Sequence, residues 1–331
     1  MLSISIDRAK NIIDNFKGKK IAVIGDVMLD RYFWGSVSRI SPEAPVPVID
    51  LEKESFHLGG AANVASNLKS LGIEPILCGV LGNDNSGKRF SGITEKAGID
   101  PSGLFYDDTR PTTVKTRIIG NNQQLIRVDR EIRASLSSRG EEYILNSIKD
   151  INGLSGIIFE DYNKGTITPG LINIIITYAG KNDIPVFVDP KFDNFFSFKD
   201  STVFKPNKKE ASEALGMKLY NNDDIEKAGQ ELLSQLNAGN ILLTLGKDGM
   251  MLFESDGSIS SVPTRARHVA DVSGAGDTAI ATLAAAYSGG ASVKEAATLA
   301  NYAAGVVCEE PGIVSIEESA LLRSIRINHN D

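Results

Sequence analysis

Short apolar runs alternate with segments of helical periodicity along most of the chain. The pattern predicts strands at 20–25, 74–80, 156–160, 185–188, 202–205 and 240–244. It predicts helices at 61–71, 86–97, 138–151, 169–182, 208–215, 224–236, 277–288 and 293–308. Continuous apolar strands that alternate with helices are typical of a mostly parallel α/β sheet covered on both faces. Because no internal repeat or long linker interrupts the pattern, we expect one domain over residues 1–331.

Two segments depart from this rhythm. Residues 31–56 are polar and aromatic and contain three prolines, and residues 112–130 alternate around a Gly-Asn-Asn turn signal at 120–122. The two segments are interpreted as strands outside the main sheet that together form a small lid. Ordinary surface hairpins are the alternative.

Polar residues follow the predicted strands at the points where the strands end. Because the carboxyl ends of parallel strands share one edge of a sheet, we expect a cleft there that is lined by carboxylates, lysines and an amide. Each of these residues taken alone could equally be a loop residue or a helix cap. The candidates are Asp26, Asp30, Asp161, Lys164, Asp189, Lys191, Asn207, Glu210 and residues 244–249.

The segment D-V-S-G-A-G-D at 271–277 combines a tight turn with the start of a helix. Gly274 and Gly276 free the backbone for the turn, and unpaired N–H groups at a helix start suit a phosphate. Asp277 places a carboxylate at this anion site, where abstraction of a proton from an attacking hydroxyl would explain it. The alternative is a structural turn in which Asp277 only favours the helix start.

Composition narrows the function classes. The 331 residues carry a net charge of −7 and are 42% hydrophobic, which does not favour nucleic acid or an anionic membrane as a partner. No apolar run approaches the length of a membrane span, and the first residues do not resemble a signal peptide. Cys78 and Cys308 are expected to be free thiols in a reducing cytoplasm.

Several motifs occur in an order that resembles the ribokinase (pfkB) family of sugar kinases. They are G-G-A-A-N-V-A at 59–65, G-V-L-G-N-D-N-S-G at 79–87, P-N-K-K-E at 206–210 and the segment at 271–277. The resemblance implies a ribokinase-like three-layer α/β sandwich with a mostly parallel sheet and a small β lid. It implies that Asp277 is the catalytic base and that the N–H groups of Gly274, Ala275 and Gly276 form an anion hole.

The resemblance also implies a nucleotide and its metal ions. ATP would bind with Mg²⁺ held through water by Asp189 and Glu210, next to Asn207. Thr244, Gly246 and Gly249 would contact the nucleotide base, together with Asn301 and Ala304. Asp271 would belong to a site for a monovalent cation such as K⁺. This last assignment is weakened by the acidic pair Glu309-Glu310, which departs from the family pattern.

Residues 25–48 and 122–129 resemble the family members that phosphorylate the anomeric hydroxyl of D-glycero-β-D-manno-heptose 7-phosphate in lipopolysaccharide core synthesis. Gly59, Gly60 and Asn63 would contact the sugar, with Asp26 and Asp30 accepting hydrogen bonds from its hydroxyls. The basic residues favour a phosphorylated acceptor. Those expected to bind it are Arg117, Arg127, Lys164 and Lys191.

The resemblance further implies a homodimer that forms through the lid. Because H-x-G-H does not occur in the chain, we expect a kinase without the nucleotidyltransferase domain that many such members carry. The alternatives are a kinase for another sugar, sugar phosphate or nucleoside, and a non-catalytic sugar or nucleotide sensor on the same fold. A dinucleotide oxidoreductase is disfavoured because the first strand is not followed by G-x-G-x-x-G.

Overall fold

The computed structural model describes residues 4–264, 269–310 and 312–329. Its strands are β1 (Lys20–Gly25), β2 (Val27–Ile40), β3 (Pro47–Gly60), β4 (Glu74–Gly82), β5 (Asp100–Asp107), β6 (Val114–Gly120), β7 (Gln123–Arg130), β8 (Leu154–Glu160), β9 (Val186–Asp189), β10 (Val203–Phe204), β11 (Asn240–Thr244), β12 (Met250–Glu254) and β13 (Ile259–Val262). Its α-helices are α1 (Ile6–Asp14), α2 (Ala61–Ser70), α3 (Asn85–Lys96), α4 (Ser138–Lys149), α5 (Pro169–Lys181), α6 (Lys208–Leu215), α7 (Asn222–Leu236), α8 (Ala275–Ser288), α9 (Val293–Cys308) and α10 (Glu318–His329).

The main sheet has nine strands in the order β13-β12-β11-β10-β9-β8-β1-β4-β5. Neighbouring strands from β11 to β5 pair in parallel, whereas β12 and β13 are antiparallel. The predicted mostly parallel α/β sheet is therefore confirmed. The carboxyl ends of β1, β8, β9, β10 and β11 meet at one edge, where the polar residues after these strands come together.

Both faces of the main sheet are covered by helices. Val23 of β1 lies in an apolar cluster with residues of α1, α2, α8, α9 and α10, whereas Ile24 lies in a second cluster with residues of α4, α5, α6 and α7. Successive side chains of a strand point to opposite faces, so a continuous apolar run is needed where both faces are buried. No helix among the described residues is long and apolar enough to cross a bilayer.

Three strands and two helices of this fold were not predicted from the sequence. β5 begins D-P-S-G, and these turn-forming residues hide an edge strand. β12 and β13 follow the turn at 246–249 closely and pair antiparallel, outside the alternation of strands and helices that guided the prediction. α1 and α10 are the terminal helices of the described chain and pack on the same side of the sheet.

A separate four-stranded sheet, which we call the lid, has the order β3-β2-β6-β7. It contains the two segments predicted to lie outside the main sheet, and β2 and β3 extend beyond residues 31–56 at both ends. The turn between β6 and β7 has Asn121 and Asn122 in the left-handed region, with φ of 51° and 63°. Two residues with positive φ are what a tight hairpin turn of this kind requires.

The two faces of the lid differ because side chains alternate along each strand. Tyr32, Arg117 and Arg127 are cross-strand partners on one face, and the adjacent partners Phe33, Ile118 and Ile126 lie on the other. The alternation therefore separates a polar, basic face from an apolar face. The contacts described below show that the basic face is the one turned towards the strand ends.

Candidate active site

Asp277 lies in the first turn of α8 and is almost completely buried. Asn63 Nδ2 donates to its Oδ2 at 2.7 Å, and the Tyr162 hydroxyl donates to its Oδ1 at 3.0 Å. Burial is the main reason that the pKa of Asp277 is raised to about 6, although both hydrogen bonds favour the charged form. A carboxylate with this pKa is suited to accept a proton near neutral pH.

The start of α8 forms the predicted turn. Gly274 precedes the helix with φ of 80°, a conformation that glycine adopts without strain. Because Gly274 has no side chain to cap the helix, the first-turn N–H groups of Gly276 and Asp277 are left for other partners. The positive end of the helix dipole and these N–H groups can together stabilise an anion.

Glycines at the start of α2 bring Asn63 to Asp277. A Cβ atom on Gly59 would lie 2.3 Å from Asp30 Oδ2, and one on Gly60 would lie 2.3 Å from the carbonyl oxygen of Asp26. Gly60 also has φ of 61°. Only glycine allows the chain to enter α2 so close to these two residues, which places α2 beside α8 and Asn63 next to the carboxylate.

Asp26 is hydrogen-bonded to the backbone of the loop after β8. Its carboxylate accepts three backbone hydrogen bonds, from Tyr162 at 2.9 Å, Lys164 at 2.9 Å and Thr166 at 3.0 Å. These bonds fix the loop after β8. Asp30, in contrast, forms a side-chain ion pair with Arg117 inside the lid, between the neighbouring strands β2 and β6. The basic lid face meets the strand ends through Lys115 of β6, which lies against the ring of Tyr162.

A second group of charged residues follows β9 and β10. Asp189 and Lys205 form a buried ion pair with 2.7 Å between Oδ2 and Nζ, and Lys191 forms an ion pair with Glu210. Asp189, Glu210 and Glu160 raise the pKa of Lys191 despite its burial, so its ammonium group stays charged. Two carboxylate–lysine pairs thus lie at the strand ends, of which Asp189–Lys205 is buried and Lys191–Glu210 is partly exposed.

Asn207 and Glu210 form a capping box at the start of α6. Asn207 Oδ1 accepts from the Glu210 N–H, and Glu210 Oε2 accepts from the Asn207 N–H, both at 2.9 Å. This arrangement fixes both side chains at the strand-end edge. Glu210 therefore keeps a defined position, with its other carboxylate oxygen turned to Lys191.

The residues predicted to contact a nucleotide base line one cavity of about 300 Å³. It lies between the turn after β11, the start of α8 and the facing side of α9. Asn301 Nδ2 donates to the Pro263 carbonyl oxygen at 2.7 Å and so holds the segment after β13 against α9. The predicted residues on its wall are Thr244, Gly246, Gly249, Ala275, Gly276, Asn301 and Ala304.

The remaining predicted residues have contact partners other than Asp277. Lys164 pairs with Glu131 at 2.5 Å, and Arg127 pairs with Asp129 in the same lid strand at 2.9 Å. Asp271 accepts from the Ser273 N–H at 2.9 Å and from the Gly312 N–H at 3.3 Å, so both its oxygens have donors. The assignment of Asp271 to a cation site stays a prediction.

Three residues of the site were not selected from the sequence. Tyr162 bonds to Asp277, Lys205 pairs with Asp189, and Glu160 is buried at the end of β8 with Oε2 lacking a hydrogen-bond partner among the described residues. Burial, together with the negative charges of Asp189 and Asp277, raises the pKa of Glu160 well above its ordinary value. All three follow or end apolar runs, which is the only signal the sequence contained for them.

Known proteins resemble this chain along most of its length. Residues 18–320 match the model of the pfkB family carbohydrate kinases. A protein named bifunctional protein HldE from Helicobacter pylori strain J99 is 44% identical over 307 residues, which is 92% of this chain and 66% of that protein. The protein of the same name from Trichlorobacter lovleyi is 38% identical over 313 residues, 94% of this chain and 64% of that one. The chain thus spans about two thirds of the length of these relatives.

Solved structures of low sequence identity share the fold. Phosphofructokinase-2 from Escherichia coli, in a complex with potassium, superposes with a TM-score of 0.78 at 18% identity, covering 93% of this chain and 98% of that one. Arabidopsis thaliana ribokinase, in a complex with ribose and ATP, superposes with a TM-score of 0.73 at 20% identity, covering 94% and 99%. Both confirm the ribokinase-like three-layer architecture.

We expect the buried Asp189–Lys205 ion pair to contribute to the free energy of unfolding. Lys205→Met leaves the Asp189 carboxylate buried beside Glu160 without its cation, so the free energy of unfolding at pH 7 should fall by about 3 kcal/mol. Lys209→Met is the matched control, because Lys209 is exposed and lies 3.7 Å from Glu213 on the surface of α6. Urea denaturation of both variants measures the difference, and equal stability of the two would contradict the prediction.

Proposed function

Because the chain belongs to the pfkB family of carbohydrate kinases, we propose that it transfers the γ-phosphate of ATP to the anomeric hydroxyl of D-glycero-β-D-manno-heptose 7-phosphate. The observation that carries the proposal is the position of Asp277, buried with two hydrogen-bond donors between the nucleotide cavity and the basic lid face. The resemblance of residues 25–48 and 122–129 to heptose 7-phosphate kinases supports this acceptor. The similarity to the HldE proteins agrees with it.

The reaction follows from the site geometry. Asp277 takes the proton of the acceptor hydroxyl while the hydroxyl oxygen forms a bond to the γ-phosphorus. The bond between the γ-phosphorus and the oxygen that bridges the β- and γ-phosphates breaks, and ADP is released. The first-turn N–H groups of α8 stabilise the charge on the transferred group, and the positive φ of Gly274 lets the helix begin at this point. Proton abstraction and charge stabilisation therefore come from adjacent residues.

The residues at the edge of the sheet fit a magnesium–ATP complex. Asp189 and Glu210 supply hard oxygen donors, and no group of three or more ligating side chains among the described residues forms a dedicated metal cage. Mg²⁺ held mainly by phosphates and water would neutralise phosphate charge there. Lys191 and Lys205 already balance the two carboxylates, so they keep the edge able to receive phosphate oxygens.

The acceptor phosphate is proposed to contact the basic lid face. Arg117 lies on this face next to Asp30, and Lys115, two positions earlier in β6, has its Nζ 5.7 Å from the centre of the Tyr162 ring. Burial lowers the pKa of Lys115, and a desolvated ammonium group of this kind gains from an anionic partner. Lys191 lies against the same ring from the core side, at 5.5 Å.

Substrate specificity is the direct test. A coupled ADP-release assay over heptose, hexose and pentose phosphates, free heptose and nucleosides should show the highest kcat/KM with heptose 7-phosphate. Arg117→Met should raise KM for the sugar phosphate by about tenfold or more, because a charge-assisted contact is lost, while KM for ATP changes little. Arg323→Met in α10 is the control. Equal activity on free heptose or on a nucleoside would overturn the proposed acceptor.

The role of Asp277 predicts a pH dependence. Only the ionised carboxylate accepts a proton, so kcat/KM should be retained above a pKa of about 6 and fall as the pH drops through that value. Asp277→Asn should lower kcat by about a hundredfold or more at pH 7. The sugar phosphate ionises in the same pH range. A fall of kcat/KM at low pH that is caused by Asp277 must, however, disappear in Asp277→Asn. A fall that persists would assign the ionisation to the substrate.

We propose that the apolar face of the lid mediates a homodimer. Phe33, Ile118 and Ile126 form a row across three strands, and Ile126 is 52% exposed. A small isolated sheet cannot bury both faces by itself, and a second copy of the same surface is the most common way to cover one. This arrangement would leave the basic face free for the acceptor.

Light scattering tests the proposed assembly. The wild-type protein should be dimeric at micromolar concentration, and Ile126→Asp should convert it to a monomer by placing a charge in the apolar row. Ile327→Asp is a matched control because Ile327 is an exposed isoleucine on α10, outside the lid. A fully active wild-type monomer would contradict the proposal.

A further inference from the structure

Tyr162 lies in the loop after β8, where it contacts the start of α8, the residue after β1 and the lid. Its hydroxyl donates to Asp277 Oδ1 at 3.0 Å, and its backbone N–H donates to Asp26 Oδ2 at 2.9 Å. Its ring is contacted by Lys115 of the lid and Lys191 of the core, with Nζ atoms 5.7 Å and 5.5 Å from the ring centre.

The direction of the Tyr162–Asp277 hydrogen bond follows from the charges around it. Burial is the main cause that raises the pKa of Tyr162 well above its ordinary value, and the nearby Asp277, Glu160 and Asp189 carboxylates raise it further. The hydroxyl therefore keeps its proton and must be the donor. Together with Asn63, it fixes both oxygens of the carboxylate and thereby the direction of its remaining lone pairs.

The ring of Tyr162 connects this hydrogen bond to the lid. An ammonium group over an aromatic ring is attracted by its electron-rich face, so Lys115 and Lys191 both restrain the ring. Lys191 belongs to the core, where it is paired with Glu210, whereas Lys115 belongs to strand β6 of the lid. A shift of the lid relative to the core therefore acts on the ring directly, and through the hydroxyl on Asp277.

We propose that Tyr162 is a positioning residue that couples the position of the lid to the orientation of the Asp277 carboxylate, an inference that rests on the proposed kinase function. Asp26 anchors the backbone of Tyr162, so only the ring and hydroxyl are left to respond to Lys115. The base is then correctly oriented when the basic lid face lies over the strand ends. Contact of an acceptor phosphate with the lid would favour this arrangement.

Tyr162→Phe removes only the hydroxyl and tests the positioning role. It should lower kcat by about tenfold through loss of a hydrogen bond to a charged group, and KM for ATP should stay within about twofold of the wild-type value. Tyr143→Phe is the matched control, because the Tyr143 hydroxyl also donates one hydrogen bond of 3.0 Å, to the Ser102 carbonyl oxygen on the surface. Thermal denaturation checks that both variants are folded.

Double variants distinguish positioning from a general structural effect. If Tyr162 acts through Asp277, Tyr162→Phe should cause no further loss of kcat in the Asp277→Asn background. If the two residues act independently, the fold-losses in kcat of the two substitutions should multiply. Lys115→Met should likewise lower kcat less in Tyr162→Phe than in the wild-type protein. Full multiplication in either pair, or wild-type kcat in Tyr162→Phe, would overturn the inference while leaving the kinase function intact.

A titration without substrate gives an independent readout. The groups facing Asp277 are Asn63, Tyr162, Glu160, Asp189 and Lys205. Since the Tyr162 hydroxyl stabilises the ionised carboxylate, its removal should raise the pKa of Asp277 by about one unit. Carboxyl ¹³C NMR measures this pKa, with the signal assigned by its loss in Asp277→Asn. An unchanged pKa would overturn the inference, whereas absence of ADP release with every sugar phosphate would overturn only the proposed function.

Discussion

The site depends on one buried carboxylate that is held in place by two hydrogen bonds. Asp277 accepts from Asn63 and Tyr162, which come from α2 and from the loop after β8. A buried carboxylate without such donors would be protonated or would move towards solvent. Because the donors and the acceptor lie far apart in the chain, the bonds can form only when β1 and β8 lie side by side and α2 packs on α8.

This requirement explains features that have no chemical role of their own. Asp26 uses its carboxylate to fix three backbone N–H groups of the 162–166 loop, so the first strand determines where Tyr162 lies. Gly59 and Gly60 allow α2 to start against Asp30 and Asp26. Asp26, predicted as a sugar ligand, thus also has a structural role, and its contact with a sugar stays a prediction. Residues that do not touch Asp277 therefore position the two residues that do.

The polar residues at the edge of the sheet could be predicted because apolar strands alternate regularly with helices along the chain. Asp189, Lys191, Asn207 and Glu210 were found because each follows a continuous apolar run, and parallel pairing necessarily brings such positions together. The pattern could not show which of these residues pair with each other. Tyr162 was missed because an aromatic residue after a strand is usually part of the core. β12 and β13 were missed because antiparallel strands joined by short turns do not have the spacing of strands that alternate with helices.

The proposed phosphate site at the start of α8 also contains a carboxylate, and the surrounding charges make this arrangement possible. Asp277 and the neighbouring Glu160 and Asp189 would repel a phosphate, yet Lys205 is buried against Asp189 and the partly exposed Lys191 pairs with Glu210. Each pair is neutral, and the raised pKa of Glu160 favours its uncharged form. Asp277 is therefore left as the unpaired carboxylate of this group, beside the N–H groups at the start of α8. Burial then raises the pKa of Asp277 to about 6, while Asn63 and Tyr162 keep it from rising further. The same desolvation that raises the pKa of the carboxylate therefore requires the two hydrogen bonds that orient it.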